Sequence, residues 1–427
     1  MDDIKNIRSI LRFVYNNHYS DFYRKKYQNS AVNPLKIRTI SDFKKLPFLE
    51  RNELLETEPL KRIFISENKL SGASTTSGTS KKGSLIILRK KEDIEQYYFK
   101  ELKKAGIKKL MFLVSANTVN RYVNDTLPSD LFTVFVDFSN LILAAELAAG
   151  AKIEALYTSP TPLYFFIPYL AERYDLNKIR DIHLSGEFCS LTQFKILKSF
   201  FPKAVFRFNY GSAEVQMVGW QCRNLVNANP SVFHFSRFIY PEVINPQTLS
   251  DIKQDRTGEL VLTALSKKAF VAIRYKTGDV IKILTKQCRC KNKKPLFEIL
   301  GKAGTDYISV AGTRLVKNEF ERVLSTDKKV SLDFKVYIYE KSTNSKLVYY
   351  VEAHLLPKNR KLLGNSAFAV KLAKKLQTNL KVSPTLTFED LVEKGIFSPL
   401  KVVLVEKLPL ETKRKSFEMI ADKPNST

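Results

Sequence analysis

The chain has 427 residues, 70 Lys and Arg against 43 Asp and Glu, a net charge of +27 and 44% apolar residues. Such a length suits two or three domains with a large core. The absence of any run of about 18 apolar residues excludes a transmembrane helix. The lysines are spread along the chain and interleaved with acids, with no RNA-binding signature or zinc-finger ligand set. The charge therefore reads as a solvated surface that also favours anionic ligands, and no specific nucleic-acid partner is expected. The start, "MDDIKNIRSI", lacks the apolar core of a secretory signal, so the expectation is a soluble, cytoplasmic protein. Four cysteines in a chain of this size do not make a disulfide framework.

In chain order, residues 1 to about 60 read as helices and connectors, with Ser41 as an N-cap, Pro47 as a break and a second short helix after it. "SGASTTSGTSKKGS", Ser71 to Ser84, is rich in Gly and hydroxyls and almost free of apolar side chains. It reads as a loop and not a strand or helix. Its glycines, hydroxyls and lysines suit a phosphate or an ordinary linker. It is not a P-loop, because Ser84 stands where the lysine belongs. "LIILRK" after it reads as a strand. "KLMFLVS", "AKIEALYTS" and "IRDIHLSGE" read as buried strands, and "PTPLYFFIPYLAERY" and "LTQFKILKSFF" as helices between and after them. Strand–helix alternation predicts an α/β sheet. From about 236 to 300 the short runs "FIYPEVINPQTL", "TGELVLTAL", "VAIRYKTGD" and "VIKIL" predict a β-rich subdomain. Beyond about 303, "KVYIYE", "KLVYYVEAHLL", "SAFAVKLAKKLQTNL" and "KVVLVEKL" predict a small α+β domain.

Five stretches stand in a telling order: the Ser71–Ser84 loop, "NYGSAEV" (Asn209–Val215, read as entering a helix), "YKTGDV" (Tyr275–Val280), "GKAGTDYISVAGTRL" (Gly301–Leu315) and "EKLPLETKRKSF" (Glu406–Phe417). Together they resemble TSGTTGKP, YGxTE, YRTGD, GRxDD and PxTxxGK of the adenylate-forming superfamily, which includes acyl- and aryl-CoA ligases, peptide-synthetase adenylation domains and luciferases. "FYRKKY", "ISDFKKLPFLERNEL" and "PEVINPQTL…RTGELVLTAL…FVAIRYKTGD" resemble its phenylacetate–CoA ligase branch.

The resemblance implies an α/β fold. A large N-terminal domain, 1–300, would carry parallel-type sheets and a β-rich subdomain and bind ATP and the carboxylate; a small mobile α+β lid would span 301–427. It implies ATP-dependent activation of a small carboxylic acid to an acyl-adenylate, then transfer to the thiol of coenzyme A or of an acyl carrier protein. An impaired nucleotide-binding homologue, or amino-acid adenylation for a carrier protein, remains open beside it. The altered motifs bear on the first, and "VDFSN", with Asp137 as an amine partner or a helix N-cap, bears on the second.

Carried over residue by residue, the resemblance gives Ser77, Gly78 and Thr79 the β- and γ-phosphates, with Lys81 or Lys82 adding charge. Glu214 would hold Mg²⁺ bridging phosphates, or else be an acid at a helix start. Tyr210, with Gly211 and Ser212, would face the adenine, lined also by Ser185, Gly186 and Glu187. Asp279 would accept from both ribose hydroxyls, since a carboxylate offers two acceptor oxygens, or else be a turn residue. Lys302 stands in place of the usual arginine and lacks its planar fork. Asp306 would be the hinge. Lys413, or Lys415 in a second register, would neutralise charge during adenylation. Cys222, His234, Cys288 and Cys290 would bind a structural Zn²⁺, a set suited to tetrahedral zinc, or else be free thiols and a core histidine. The acid pocket would fall within Ser115–Ser139, Ser185–Phe188 and Phe208–Gly211.

Overall fold

The computed structural model describes residues 3–28, 30, 32–75, 85–93, 97–114, 127–186, 189, 191–245, 248–250, 257–290, 292, 294–302, 307–311, 313–343, 346–382, 386–408 and 416–420. The chain divides into two compact units, Met1–Gly301 and Lys302–Thr427.

The first unit begins with α1 (Asp3–Tyr15), α2 (Phe22–Tyr27), α3 (Ile40–Lys44) and α4 (Arg51–Glu56). Ile7, Ile10, Leu11 and Val14 recur at helical spacing, and all four are buried on one face of α1. The cap of α3 is Thr39 and not Ser41. The Thr39 hydroxyl accepts from the Asp42 N–H at 3.1 Å, and the Asp42 carboxylate accepts from the Thr39 N–H at 3.0 Å. Only Thr39 has an acid three residues on, so the reciprocal capping box forms there.

The glycine-rich stretch is not loop throughout. Gly72–Thr75 is strand β1, paired antiparallel with β2 (Ile86–Arg89). Backbone pairing holds this hairpin, and buried Arg89 donates from Nε to the Ser74 hydroxyl at 3.2 Å. Apolar side chains were the wrong signal for it, because the pairing partner supplies them.

Strand–helix alternation follows as expected: α5 (Tyr97–Lys104), β3 (Lys109–Leu113), β4 (Phe132–Val136), α6 (Leu141–Ala151), β5 (Ala155–Thr158), α7 (Pro160–Ala171), β6 (Asp181–Leu184), α8 (Leu191–Phe200) and β7 (Val205–Ser212). These strands pair in parallel. β5 and β6 are buried along their whole length, as parallel strands covered on both faces must be. The cap of α6 is Asn140, whose side chain accepts from the Leu143 N–H; Asp137 instead accepts from the Ser139 N–H at 2.9 Å and shapes the turn before it.

The sheet then turns antiparallel through β8 (Gln216–Trp220), β9 (Val232–Phe235), β10 (Ile239–Ile244), β11 (Thr257–Ala264), β12 (Tyr275–Leu284) and β13 (Leu296–Lys302). Among the described residues the full order is β10-β11-β12-β13-β9-β8-β7-β6-β5-β3-β4. Two expectations are corrected here. "YGSAEV" does not enter a helix: β7 runs to Ser212 and a tight turn leads into β8. A Cβ on Gly211 would stand 2.5 Å from the Gln216 carbonyl oxygen, so only glycine lets the two strands approach this closely. "VAIRYKTGD" and "VIKIL" are not two strands. A single strand starts at Tyr275, because Arg274 at φ 48 breaks the extended run before it.

The second unit pairs β14 (Tyr307–Val310) with β15 (Thr313–Val316), then forms α9 (Lys317–Leu324), the long hairpin of β16 (Val330–Thr343) and β17 (Lys346–Pro357), α10 (Ser366–Asn379), α11 (Phe388–Glu393), β18 (Lys401–Leu404) and β19 (Phe417–Ile420). Its four-stranded order is β18-β17-β16-β19, with the outer strands parallel to their neighbours. Val336 and Ile338 are buried while Tyr337 and Tyr339 between them are half-buried, the alternation of a one-sided sheet. This is the α+β unit expected from the sequence. Among the described residues no helix is long and apolar enough to cross a membrane.

Candidate active site and metal centre

Glu214 sits in the turn between β7 and β8, so it is not an acid at a helix start. It is buried, and Oε1 accepts from the Tyr275 hydroxyl at 2.7 Å and from Arg51 Nη1 at 3.4 Å. Burial, and then the Glu214 carboxylate, push the Tyr275 phenol well above its ordinary value, which keeps the hydroxyl a donor. The turn backbone is held as well. Arg89 donates from Nη2 to the Ala213 carbonyl, and Lys268 Nζ donates to the Val215 carbonyl at 3.3 Å. The Ser212 hydroxyl accepts from the Val215 N–H at 3.2 Å. A carboxylate is thus fixed among three cationic side chains.

β7 and β12 bring the second carboxylate close. The Tyr210 hydroxyl donates to Asp279 Oδ2, and Asp279 is itself buried. Burial, and then Asp279, hold the Tyr210 phenol well above its ordinary value. Phe233 and Phe297 pack around the Tyr210 ring, with centroids 6.4 and 6.0 Å away. Asp279 lies inside β12 beside Gly278, whose φ of 72 kinks the strand there, so the residue is both a strand position and part of a local turn. Ser185 follows β6, and its carbonyl accepts from the Ser159 hydroxyl at 2.8 Å. Gly186 has φ 88, a conformation open chiefly to glycine.

Several residues that position this site were given no role from the sequence. Arg51 lies 163 positions from Glu214, and nothing in its local spacing announces the contact. Tyr275 opened a quoted motif, but only the fold shows its hydroxyl on Glu214. Arg274 forms a bidentate pair with Glu242 at 3.1 and 2.9 Å and donates to the Lys44 and Leu46 carbonyls. That clamp docks the segment before α4 against β12, where the Leu49 N–H donates to the Arg274 carbonyl at 2.9 Å.

At the far end of β8 the four expected metal ligands come together. Cys222 and Cys288 sulfurs lie 3.4 Å apart, His234 Nε2 is 3.4 Å from Cys222 Sγ and 3.3 Å from Cys290 Sγ. All four ligand atoms lie within 4.8 Å of one another. Ligand atoms around tetrahedral zinc, at bonds of about 2.0–2.3 Å, stand about 3.3–3.8 Å apart; the three separations above lie in that range, and the donor set, three thiols and an imidazole, is one that zinc takes. Burial, and then the neighbouring Cys288, push the Cys222 thiol up to about 11; burial raises Cys288 too, but the Cys290 backbone and the neighbouring thiols outweigh it and lower that thiol. Crowded thiols with no cation cannot all ionise together, and a cation between them removes that conflict.

Ser77, Gly78, Thr79, Lys81, Lys82, Glu187, Asp306, Lys413 and Lys415 lie outside the described residues, as does the side chain of Lys302.

No family model matches the chain. The phenylacetate-coenzyme A ligase of Thermus thermophilus is 21% identical over 352 residues, which cover 79% of this chain and 78% of that protein. The protein of the same name from Aromatoleum evansii is 21% identical over 345 residues, covering 77% and 76%. A crystal structure of 2-hydroxyisobutyryl-CoA ligase, in complex with 2-HIB-AMP and CoA, superposes with a TM-score of 0.64 at 14% identity, covering 97% of this chain and 88% of that one. Motif order and relatives agree: the chain is similar to the phenylacetate–CoA ligase-like branch of the adenylate-forming superfamily and shares the fold of a solved CoA ligase.

Proposed function

We propose that the protein is an AMP-forming acid–thiol ligase: it activates a small carboxylic acid with ATP and passes the acyl group to a thiol, with coenzyme A as the preferred acceptor. The observation that carries this reading is the meeting of motifs far apart in sequence. Tyr210 of "NYGSAEV" donates to Asp279 of "YKTGDV", and Tyr275 of the second motif donates to Glu214 of the first.

In the first step a carboxylate oxygen attacks the α-phosphorus of ATP, and the bond to pyrophosphate breaks. Asp279 holds the ribose diol and Tyr210 the adenine face, while Ser77, Gly78 and Thr79 offer donors to the outgoing phosphates. Ser185, Gly186, Glu187, Gly211 and Ser212 line the nucleotide, and Lys302 stands at its edge. Glu214, preset by Tyr275 and Arg51, would hold Mg²⁺, which supplies charge neutralisation on the phosphates. Lys413 neutralises the two anions that meet in this step. In the second step the thiol sulfur attacks the acyl carbonyl carbon and AMP leaves; Asp306 is the hinge that lets the lid exchange Lys413 for the thiol. Cys222, His234, Cys288 and Cys290 would hold a structural Zn²⁺.

The test is acid-dependent exchange of pyrophosphate into ATP over a panel of aryl, fatty and amino acids, with mass spectrometry of the thioester after adding coenzyme A. Exchange followed by an acyl-CoA mass is expected. ATP binding with no AMP formed from any acid would sink the reading and favour an impaired nucleotide-binding homologue.

A further inference from the structure

The turn that carries Glu214 is gripped by a chain of contacts that begins at Asp93. Asp93 closes a short 3₁₀ turn, Lys91–Asp93, just beyond β2. It is 2% exposed, and its Oδ2 accepts two backbone N–H groups, that of Lys90 at 3.1 Å and that of Ala269 at 2.9 Å. These residues directly follow Arg89 and Lys268. Arg89 and Lys268 in turn donate to the carbonyls of Ala213 and Val215, the residues directly before and after Glu214. One carboxylate oxygen therefore ties down the backbone beside two cations, and the two cations hold the turn on both sides of a second carboxylate. Arg89 also donates from Nε to the Ser74 hydroxyl at 3.2 Å, which joins the same turn to β1.

Two physical features call for such a network. The turn is strained: Gln216, two residues after Glu214, has φ 71, a conformation that a residue with a side chain seldom adopts. Strain of that kind persists only where surrounding contacts impose it. Arg89 and Lys268 are also both buried, and buried cations are costly unless an anion stands close. Asp93 supplies one. Burial raises its carboxyl, while the Ala269 and Lys90 N–H groups and then the Arg89 and Lys268 cations pull it back.

We propose that Asp93 is a positioning residue for acid activation: through Arg89 and Lys268 it fixes the turn that points the Glu214 carboxylate into the nucleotide site. This rests on the acid-activating reading above.

The test is a pair of double-variant cycles with Glu214→Gln. Asp93→Asn removes the charge but keeps an acceptor oxygen for the two N–H groups, and Lys268→Met removes one of the two cations at similar volume. Each should lower kcat/KM for pyrophosphate exchange by about 10- to 100-fold, the span seen when a partner of a ligating side chain is changed. Combined with Glu214→Gln, neither should lower it further. Calorimetry with no acid present gives a second readout: the gain in ATP affinity on adding Mg²⁺ should shrink in both variants as it does in Glu214→Gln. Equal losses with and without Glu214→Gln would mean that the network serves the fold and not the carboxylate, and would overturn the inference. Exchange at the parent rate in both variants would overturn it too. Either result leaves acid activation standing. Should Asp93→Asn fail to fold, Lys268→Met decides by the same comparison. Silence of the unaltered protein with every acid while ATP still binds overturns the activation reading and this inference with it.

Discussion

The two halves of the large sheet meet at β7 and treat buried charges differently. In the antiparallel half the charges are matched. Arg274 and Glu242 form two hydrogen bonds, Glu214 takes Tyr275 and Arg51, and Asp279 takes Tyr210. In the parallel half, Asp181 gives one oxygen to Arg207 Nε at 2.8 Å with the Tyr98 hydroxyl also beside the carboxylate, and buried His183 has the neutral Asn209 side chain as its hydrogen-bonding neighbour. Successive residues of one strand serve the two sides: Asn209 lies beside His183, and Tyr210 bonds Asp279. Matched charges hold a site's shape before anything binds. A buried carboxylate or imidazole whose partners are mostly neutral instead shifts its proton affinity.

The strongest way to break this comparison is at the thiol cluster. If it is scaffolding for the antiparallel half, protein purified without chelator should carry about one zinc per chain. Cys288→Ser should lose that metal and lower Tm on the order of 10 °C, since metal binding is folding free energy. Elemental analysis that finds no metal, or a variant melting like its parent, removes the scaffold argument. Glu214→Gln comes next. It should slow exchange by about 10²-fold with little change in Tm, because the amide oxygen still accepts from Tyr275. A large loss of Tm with normal exchange would mean that the carboxylate is structural only. Asp279→Asn should be milder, raising the KM for ATP about 10-fold with a smaller fall in kcat, as a charge-assisted hydrogen bond becomes a neutral one. An unchanged KM would take the ribose away from Asp279.

The same division decides what the sequence made legible. Buried apolar runs were enough for three strands of the parallel half, "KLMFLVS", "AKIEALYTS" and "IRDIHLSGE" being β3, β5 and β6, but not for β4 (Phe132–Val136), which the sequence reading misses. For the Cys–His cluster it was the resemblance that named four residues which the fold brings together, with Cys222 and Cys288 sixty-six positions apart. Local signals failed where a long-range partner set the backbone. β1 exists because β2 pairs with it, and the turn at Glu214 replaces a helix because β8 returns along β7. Arg51, Tyr275 and Arg274 could be found only in three dimensions, since each acts on a residue far along the chain.

The smallest effect lies in the parallel half, where two titrations oppose each other. Burial pushes the Asp181 carboxyl up to about 6 despite the pull of Arg207, with Glu101 adding to the rise. The native state then holds a proton that the unfolded chain, near about 3.9, has released. Stability from this group is present at low pH and lost as pH rises from about 4 to 6. His183, two residues on, is held down to about 3. There the unfolded chain, near about 6.5, holds the proton, so stability grows with pH from about 3 to 6.5. Across the shared window the signs are opposite, and the histidine has the larger shift. Asp181→Asn should therefore steepen the loss of stability between pH 6 and pH 4 relative to the unaltered protein. His183→Phe should flatten or reverse it. Other titrating groups are common to all three proteins and cancel in the differences between urea midpoints measured across that range. Parallel pH profiles for the three would mean that neither group has a shifted pKa in the folded chain, and the contrast between the two halves would lose its electrostatic content.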